Sequence, residues 1–256
     1  MPTCRRQHCD KTLRRAESPP YKQTVISPSS VPDKFGLPSR KEFPMRRDRK
    51  KASAEIIALL KEEYPEVKCA LTYTQPHELL IATRLSAQCT DKRVNMVTPA
   101  LFERFPTVEA FADADIAEVE ELVHTCGLYK TKAQDIVLMC RMLRDIHGGI
   151  VPDSIEELTK LPGVGRKTAN LIVGDLYGKP AYVCDTHVIR LTNRLGLSDT
   201  KDAGKVEKQL REVIPPEESL NFCHRLVWHG RGVCSARAPQ CEACVLRNLC
   251  KSKDKK

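Results

Sequence analysis

Four cysteines near the end of the chain, Cys234, Cys241, Cys244 and Cys250, fall within seventeen residues at the spacing x6-x2-x5. Thiols this close in sequence can converge on one tetrahedral centre, and cysteinates suit a zinc ion as well as an iron–sulfur cluster. A second signal is Leu161-Pro-Gly-Val-Gly-Arg-Lys-Thr-Ala-Asn170. Its glycine turn exposes backbone amides at the start of a helix, where unpaired N–H groups and the helix dipole favour a phosphate. Gly163, Val164, Gly165 and Arg166 could thus grip a nucleic-acid backbone without reading sequence. An ordinary helix–helix turn would use the same residues. Lys167 follows directly, with Leu171, Ile172 and Val173 beyond it. An amine against such an apolar wall and near a helix N-terminus loses its proton more easily and becomes a nucleophile; a solvent-exposed phosphate contact would use the same lysine. The third signal, Val183-Cys-Asp-Thr-His-Val-Ile-Arg190, puts Asp185 eighteen residues after that lysine. Its carboxylate either complements the amine or caps the following helix.

These groups need helices to hold them. From Ala52 onward apolar residues recur at helical intervals nearly throughout. Ser53 is expected to cap a helix carrying Ile56, Ile57, Leu59, Leu60 and Tyr64, stopped by Pro65. Leu79, Leu80, Ala82 and Leu85 form a stripe ahead of Ser86-Ala-Gln-Cys-Thr-Asp91. Further helices are expected over residues 92–105, 108–112, 115–126 and 130–147, with Pro99 kinking or capping one of them. Helices at 156–160 and 166–176 flank the glycine turn. Asp185 opens a helix through His187, Val188, Leu191 and Leu195, and residues 206–213 and 219–228 complete the set. Ala181-Tyr-Val183 is too short to count as a strand. The expected class is all-α.

The 256 residues suffice for one large domain or two modest ones. There is no run of about 18 apolar residues, and the opening Met-Pro-Thr-Cys-Arg-Arg lacks the apolar stretch of a secretory signal. The cytoplasm is therefore the expected location, and the twelve cysteines do not read as a disulfide scaffold. Cys140, Cys184 and Cys223 read as buried thiols. Charge is unevenly placed: residues 1–52 hold 14 Lys/Arg against 5 Asp/Glu, whereas the remainder holds 28 of each. Rich in proline and poor in large apolar residues, residues 1–45 read as a disordered basic tail suited to a polyanion. Arg231, Arg237, Arg247 and Lys251 surround the four close cysteines and could present cations to DNA. His187, His224 and His229 are expected to pack or orient neighbours, while Arg190 and Arg194 could form internal ion pairs or touch DNA.

Taken together, the three signals resemble the endonuclease III family of helix-hairpin-helix DNA glycosylases. Leu161–Asn170 looks like its hairpin with the lysine in place, Val183–Arg190 like the approach to its aspartate, and the four close cysteines like its ligands to a [4Fe–4S] cluster. Leu85-Ser-Ala-Gln-Cys-Thr-Asp91 is similar to the segment whose glutamine, here Gln88, fills the space left by an extruded base. Gly127-Leu-Tyr129 is similar to the loop whose leucine, here Leu128, wedges into the duplex. Cys89 departs from the small residue, commonly alanine, expected at its position. The resemblance spans about Lys51 to Lys251. It implies a two-lobed helix-hairpin-helix glycosylase fold with a C-terminal iron–sulfur cluster loop. A six-helix lobe would span 69–180, and a discontinuous lobe would join 46–68 to 181–253. It also implies a monomer acting on double-stranded DNA that contains a damaged base or abasic site, away from any membrane. The activity implied is excision of oxidised pyrimidines and β-elimination through a Lys167 Schiff base assisted by Asp185. The adenine mismatch branch usually lacks that lysine and adds a C-terminal domain, whereas six residues follow Cys250 here. A thymine mismatch glycosylase or a non-enzymatic helix-hairpin-helix DNA-binding protein would also carry part of this pattern.

Overall fold

The apolar periodicity is realised almost element for element. In a computed structural model that describes residues 46–253, the chain forms α1 (Arg46–Glu63), α2 (Pro76–Leu85), α3 (Asp91–Arg104), α4 (Val108–Ala112), α5 (Ile116–Val123), α6 (Tyr129–His147), α7 (Ile155–Leu158), α8 (Arg166–Tyr177), α9 (Thr186–Arg194), α10 (Ala203–Arg211) and α11 (Ser219–Gly232). Short 3-10 turns occupy His124–Cys126 and Pro216–Glu218, and no strand occurs among the described residues. The basic tail expected over 1–45 lies outside the described residues. None of the described helices is long and apolar enough to cross a membrane.

Caps explain most of the boundaries. Thr90, Thr107, Asp115, Ser154, Asp185 and Asp202 each accept a first-turn amide of the helix that follows. A cap of this kind contributes about 1 kcal/mol. Asp202 accounts for α10 starting three residues earlier than the apolar pattern implies. The expectation for Ser53 is corrected: α1 begins at Arg46, and Ser53 is a buried interior residue. Its hydroxyl donates to Val213 O at 2.8 Å, a tertiary contact invisible to local reasoning. Pro99 lies inside α3 rather than at its end.

The buried apolar residues segregate into two clusters. One is built by α2 to α8 and includes Leu79, Leu85, Val94, Leu101, Phe111, Ile136, Val137, Leu143 and Ile172. The other joins Ile56 and Leu60 of α1 to Val188 and Leu191 of α9, Val206 and Leu210 of α10, Phe222 and Leu226 of α11, and Leu246. Each fully buried leucine or isoleucine contributes roughly 1.5–3 kcal/mol, so neither cluster is a minor appendage. Cys140, Cys184 and Cys223 are buried within them, as expected of structural thiols. Leu171 of α8 packs against both clusters, so the helix carrying Lys167 runs along their junction.

A buried carboxylate ties the junction together. Glu207 of α10 is 4% exposed and accepts from Arg166 Nε at 2.7 Å and Nη2 at 2.9 Å. It also accepts from Arg211 Nη2 at 2.9 Å and Asn170 Nδ2 at 3.4 Å. Burial alone would raise the Glu207 carboxyl, but the hydrogen bonds and charges of Arg166 and Arg211 outweigh it and hold it below its ordinary 4.5. A depressed folded value means that the stabilisation is fully present above pH 4.5 and is lost as pH falls through the folded value. Glu207→Gln is accordingly expected to lower the urea midpoint at pH 7 and to differ progressively less from the unmodified protein as the pH drops below 4.5. Equal separation of the two curves from about pH 7 to about pH 3 would remove the linkage assigned to this carboxylate.

Candidate active site and cysteine loop

The turn before α8 is built around Gly163, whose φ of +72° lies in the left-handed region that glycine adopts without strain. A Cβ there would stand 2.5 Å from Arg84 Nε and 2.8 Å from Asp135 Oδ2. Those two side chains pair at 2.6 Å beneath the turn. Val164 is buried and anchors the loop from inside, while Gly163, Gly165 and Arg166 are exposed. Gly165 occupies the N-cap position of α8 without a side-chain cap, so the first amides of this helix face outward. The Arg166 guanidinium is held by Glu207 although 57% of its side chain remains exposed.

In the first turn of α8, Lys167 lines a cavity of about 100 Å³. Asp185 lines the same cavity, so two residues eighteen apart in sequence, from elements serving different apolar clusters, meet at one opening. Lys167 is exposed, which corrects the enclosure inferred from its apolar sequence neighbours: Ile172 and Val173 point into the core on the other side of α8. Asp185 is half-buried, and its Oδ1 accepts from Val188 N at 2.8 Å. The carboxylate therefore caps α9 and lines the cavity at once.

Further lining residues carry no motif that would single them out along the chain. Asp91, at the start of α3, receives Arg231 Nη2 from α11 at 2.8 Å, an ion pair that joins the two walls. Arg231 thus serves the cavity rather than the cysteine loop beside it in sequence. Trp228 lines the cavity half-exposed, its ring edge-on to Tyr64 at 6.4 Å between centroids. His224, also on the wall, meets Asp175 Oδ1 at 3.3 Å. The only signal available for these was the spacing that puts His224, Trp228 and Arg231 on one face of a helix.

Gln88 and Leu128 stand on separate loops and are both exposed. They share a backbone feature: at φ of 55° and 50° they are the two non-glycine residues in the left-handed region among those described. That conformation costs about 1–2 kcal/mol per residue and persists only where the surroundings over-determine it. Leu128 is 60% exposed, so this strain carries an apolar side chain out into solvent.

The four cysteines of the C-terminal loop are all half-buried and line one cavity of about 30 Å³, together with Arg194 and Pro239. Arg194 Nη1 donates to Cys234 Sγ at 3.0 Å, and His229 Nε2 lies 3.3 Å from Cys244 Sγ. Burial pulls His229 down to about 4, so its ring is neutral near pH 7. Burial raises the Cys244 thiol. Arg190 donates to Cys234 O at 2.9 Å and Gly230 O at 3.2 Å, and contacts His187 Nδ1 at 3.2 Å. Arg190 and Arg194 are therefore half-buried braces between α9 and the loop, and neither forms an ion pair with a carboxylate among the described residues. Burial, the largest influence, lowers His187. No set of three or more His, Cys, Asp or Glu among the described residues is drawn together tightly enough for a single metal ion. Arg237, Arg247 and Lys251 are exposed around the loop.

A family model described as HhH-GPD superfamily base excision DNA repair protein matches residues 81–216. The endonuclease III of Synechocystis sp. is 47% identical over 205 residues, which cover 80% of this chain and 94% of that protein. Two solved structures, a non-covalent endonuclease III–DNA complex and a trapped endonuclease III–DNA covalent intermediate, each superpose with a TM-score of 0.76. Each is 43% identical and covers 79% of this chain and 95% of the other.

Proposed function

Because the chain belongs to the endonuclease III family within the HhH-GPD superfamily of base excision DNA repair proteins, we infer that it excises oxidised pyrimidines of the thymine glycol type from duplex DNA and then cuts the abasic strand through Lys167. The observation that carries this reading is the meeting of Lys167 and Asp185 on one cavity between the two apolar clusters. A relative caught as a covalent protein–DNA intermediate supports a nucleophilic side chain in the reaction.

As a base-excision glycosylase and AP lyase, the enzyme must first take the damaged nucleotide out of the stack, because C1′ is inaccessible within a duplex. The outward amides of Gly163 to Arg166 hold the phosphate backbone, and Gln88 and Leu128 occupy the vacated space. Lys167 Nζ then attacks C1′, the base departs, and the sugar ring opens to a Schiff base. Loss of a proton from C2′ expels the 3′ phosphate oxygen and breaks the strand. Asp185 stabilises positive character at the sugar and assists deprotonation of the lysine. The exposure of Lys167 in the free protein fits this order of events, since DNA lying over the cavity completes the enclosure that favours a neutral amine. The expected setting is the cytoplasm, with the enzyme acting on DNA as a monomer.

Cys234, Cys241, Cys244 and Cys250 fit a [4Fe–4S] cluster. They surround one cavity, and Arg194 offers a cation to a thiolate there, which suits a centre held by four negative sulfurs. Such a cluster would fix the loop that displays Arg237, Arg247 and Lys251. The purified protein is expected to show broad visible absorbance with iron and sulfide in equal amounts. A colourless protein with a single bound zinc would overturn the assignment. The function itself is tested by borohydride trapping on a thymine glycol duplex. A covalent adduct is expected; protein that binds the duplex yet forms none would reject this substrate and mechanism in favour of a mismatch glycosylase or a binding role.

A further inference from the structure

A lysine with no solvent exposure inside an apolar cluster requires a reason. Lys132 sits on α6 in register with Ile136, Met139 and Leu143 of its buried face. Its Nζ donates to two backbone carbonyls, Leu85 O at 2.8 Å and Cys126 O at 2.6 Å. Burial lowers its pKa, and the two carbonyl dipoles compensate the enclosed charge. The two acceptors belong to different loops. Leu85 ends α2 and leads into Gln88; Cys126 ends a 3-10 turn and leads through Gly127 into Leu128. Each loop thus carries one of the two non-glycine left-handed residues among those described, with its tip exposed and its root tied to the same ammonium. Burial and the neighbouring Cys89 push the Cys126 thiol up to about 11, so the two roots lie near each other.

We propose that Lys132 is a positioning residue that locks the Gln88 and Leu128 loops into one rigid two-pronged wedge, so that both tips enter the duplex together when a base is extruded. This rests on the reading of Gln88 and Leu128 as inserted residues given above. Two prongs fill a vacated stack only if their separation survives the load of unstacking, and a shared buried tether is what prevents the loops from splaying. A preformed abasic site has no base to extrude and less stacking to break, so it depends less on the wedge.

The test compares Lys132→Met with the unmodified protein on a thymine glycol duplex and on the same duplex carrying a preformed abasic site. Methionine keeps the unbranched apolar stem and removes the donor. Single-turnover base excision is expected to fall roughly 10- to 100-fold, through kcat rather than KM, while cleavage at the preformed site falls by less than about threefold. A 2-aminopurine opposite the lesion is expected to lose its fluorescence rise. Lys132→Arg keeps a buried cation with donors, which favours retention of the fold, but its longer planar head resets the loop spacing; the same split is expected in milder form. Equal losses on both substrates in step with a lowered melting temperature would reduce Lys132 to a stabilising residue and overturn the proposal, as would unchanged excision. Failure of the unmodified protein on both duplexes would overturn the proposed function, and this inference with it.

Discussion

Lys167→Ala is expected to abolish borohydride trapping on a thymine glycol duplex and to slow strand cleavage by at least about a thousandfold. Of the other groups on the cavity wall, Asp91 and Arg231 are paired to each other and the Cys69 thiol is pushed up to about 11, chiefly by burial, which leaves Lys68 as the other amine; Lys68→Ala is expected to keep the adduct. The substitution should leave the fold intact. Lys167 is exposed on the second residue of α8, where alanine is a good helix former, so the melting temperature should stay within the range of a change of about 0.5 kcal/mol. The decisive reading is an adduct band on a denaturing gel, alongside circular dichroism and DNA-binding controls. A persistent adduct in the folded variant would show that another nucleophile attacks C1′.

Asp185→Asn is expected to separate the two duties of the aspartate. Asparagine caps a helix about as well as aspartate, so the bond now made to Val188 N survives and stability changes little. The negative charge on the cavity is lost. In a site covered by DNA such a charge is worth several kcal/mol to the transition state, and excision should fall by roughly 100- to 1000-fold. Asp185→Ala removes charge and cap together, and should lose a similar amount of activity plus about 1 kcal/mol of stability. Rate and urea midpoint measured on both variants decide the matter. Full activity in Asp185→Asn with impairment only in Asp185→Ala would leave the residue as a helix cap and nothing more.

The helices were legible because their determinants are local. Apolar stripes at helical spacing, caps such as Asp115, Ser154 and Asp185, and the left-handed Gly148 and Gly178 that end α6 and α8 all act within a few residues. Ser53 shows where that logic stops. A serine before an apolar stripe signals a cap only if its hydroxyl has no better partner, and Val213 O supplies one from 160 residues away. The burial of Cys140 and Cys184 was legible for the same local reason, as they follow Ile136-Val-Leu-Met139 and Ala181-Tyr-Val183, whereas Cys223 stands between Phe222 and His224 and is buried by the fold.

By itself, then, the sequence determined an all-α chain with a glycine turn, a lysine and a carboxylate in order, and four cysteines close enough to share a centre. Only the tertiary structure decided that Lys167 is exposed, that Asp185 caps α9 while lining the same cavity, and that Arg231 spans to Asp91 instead of joining the cysteine loop. It likewise decided the buried charges. Glu207 and Lys132 occupy core-facing helix positions that read as misplaced until Arg166 and Arg211, or two loop carbonyls, arrive from elsewhere in the chain. Helix propensity and capping act between near neighbours and can be read along the chain. A buried charge is stabilised by partners that only folding brings within hydrogen-bond reach, so its purpose appears only in three dimensions.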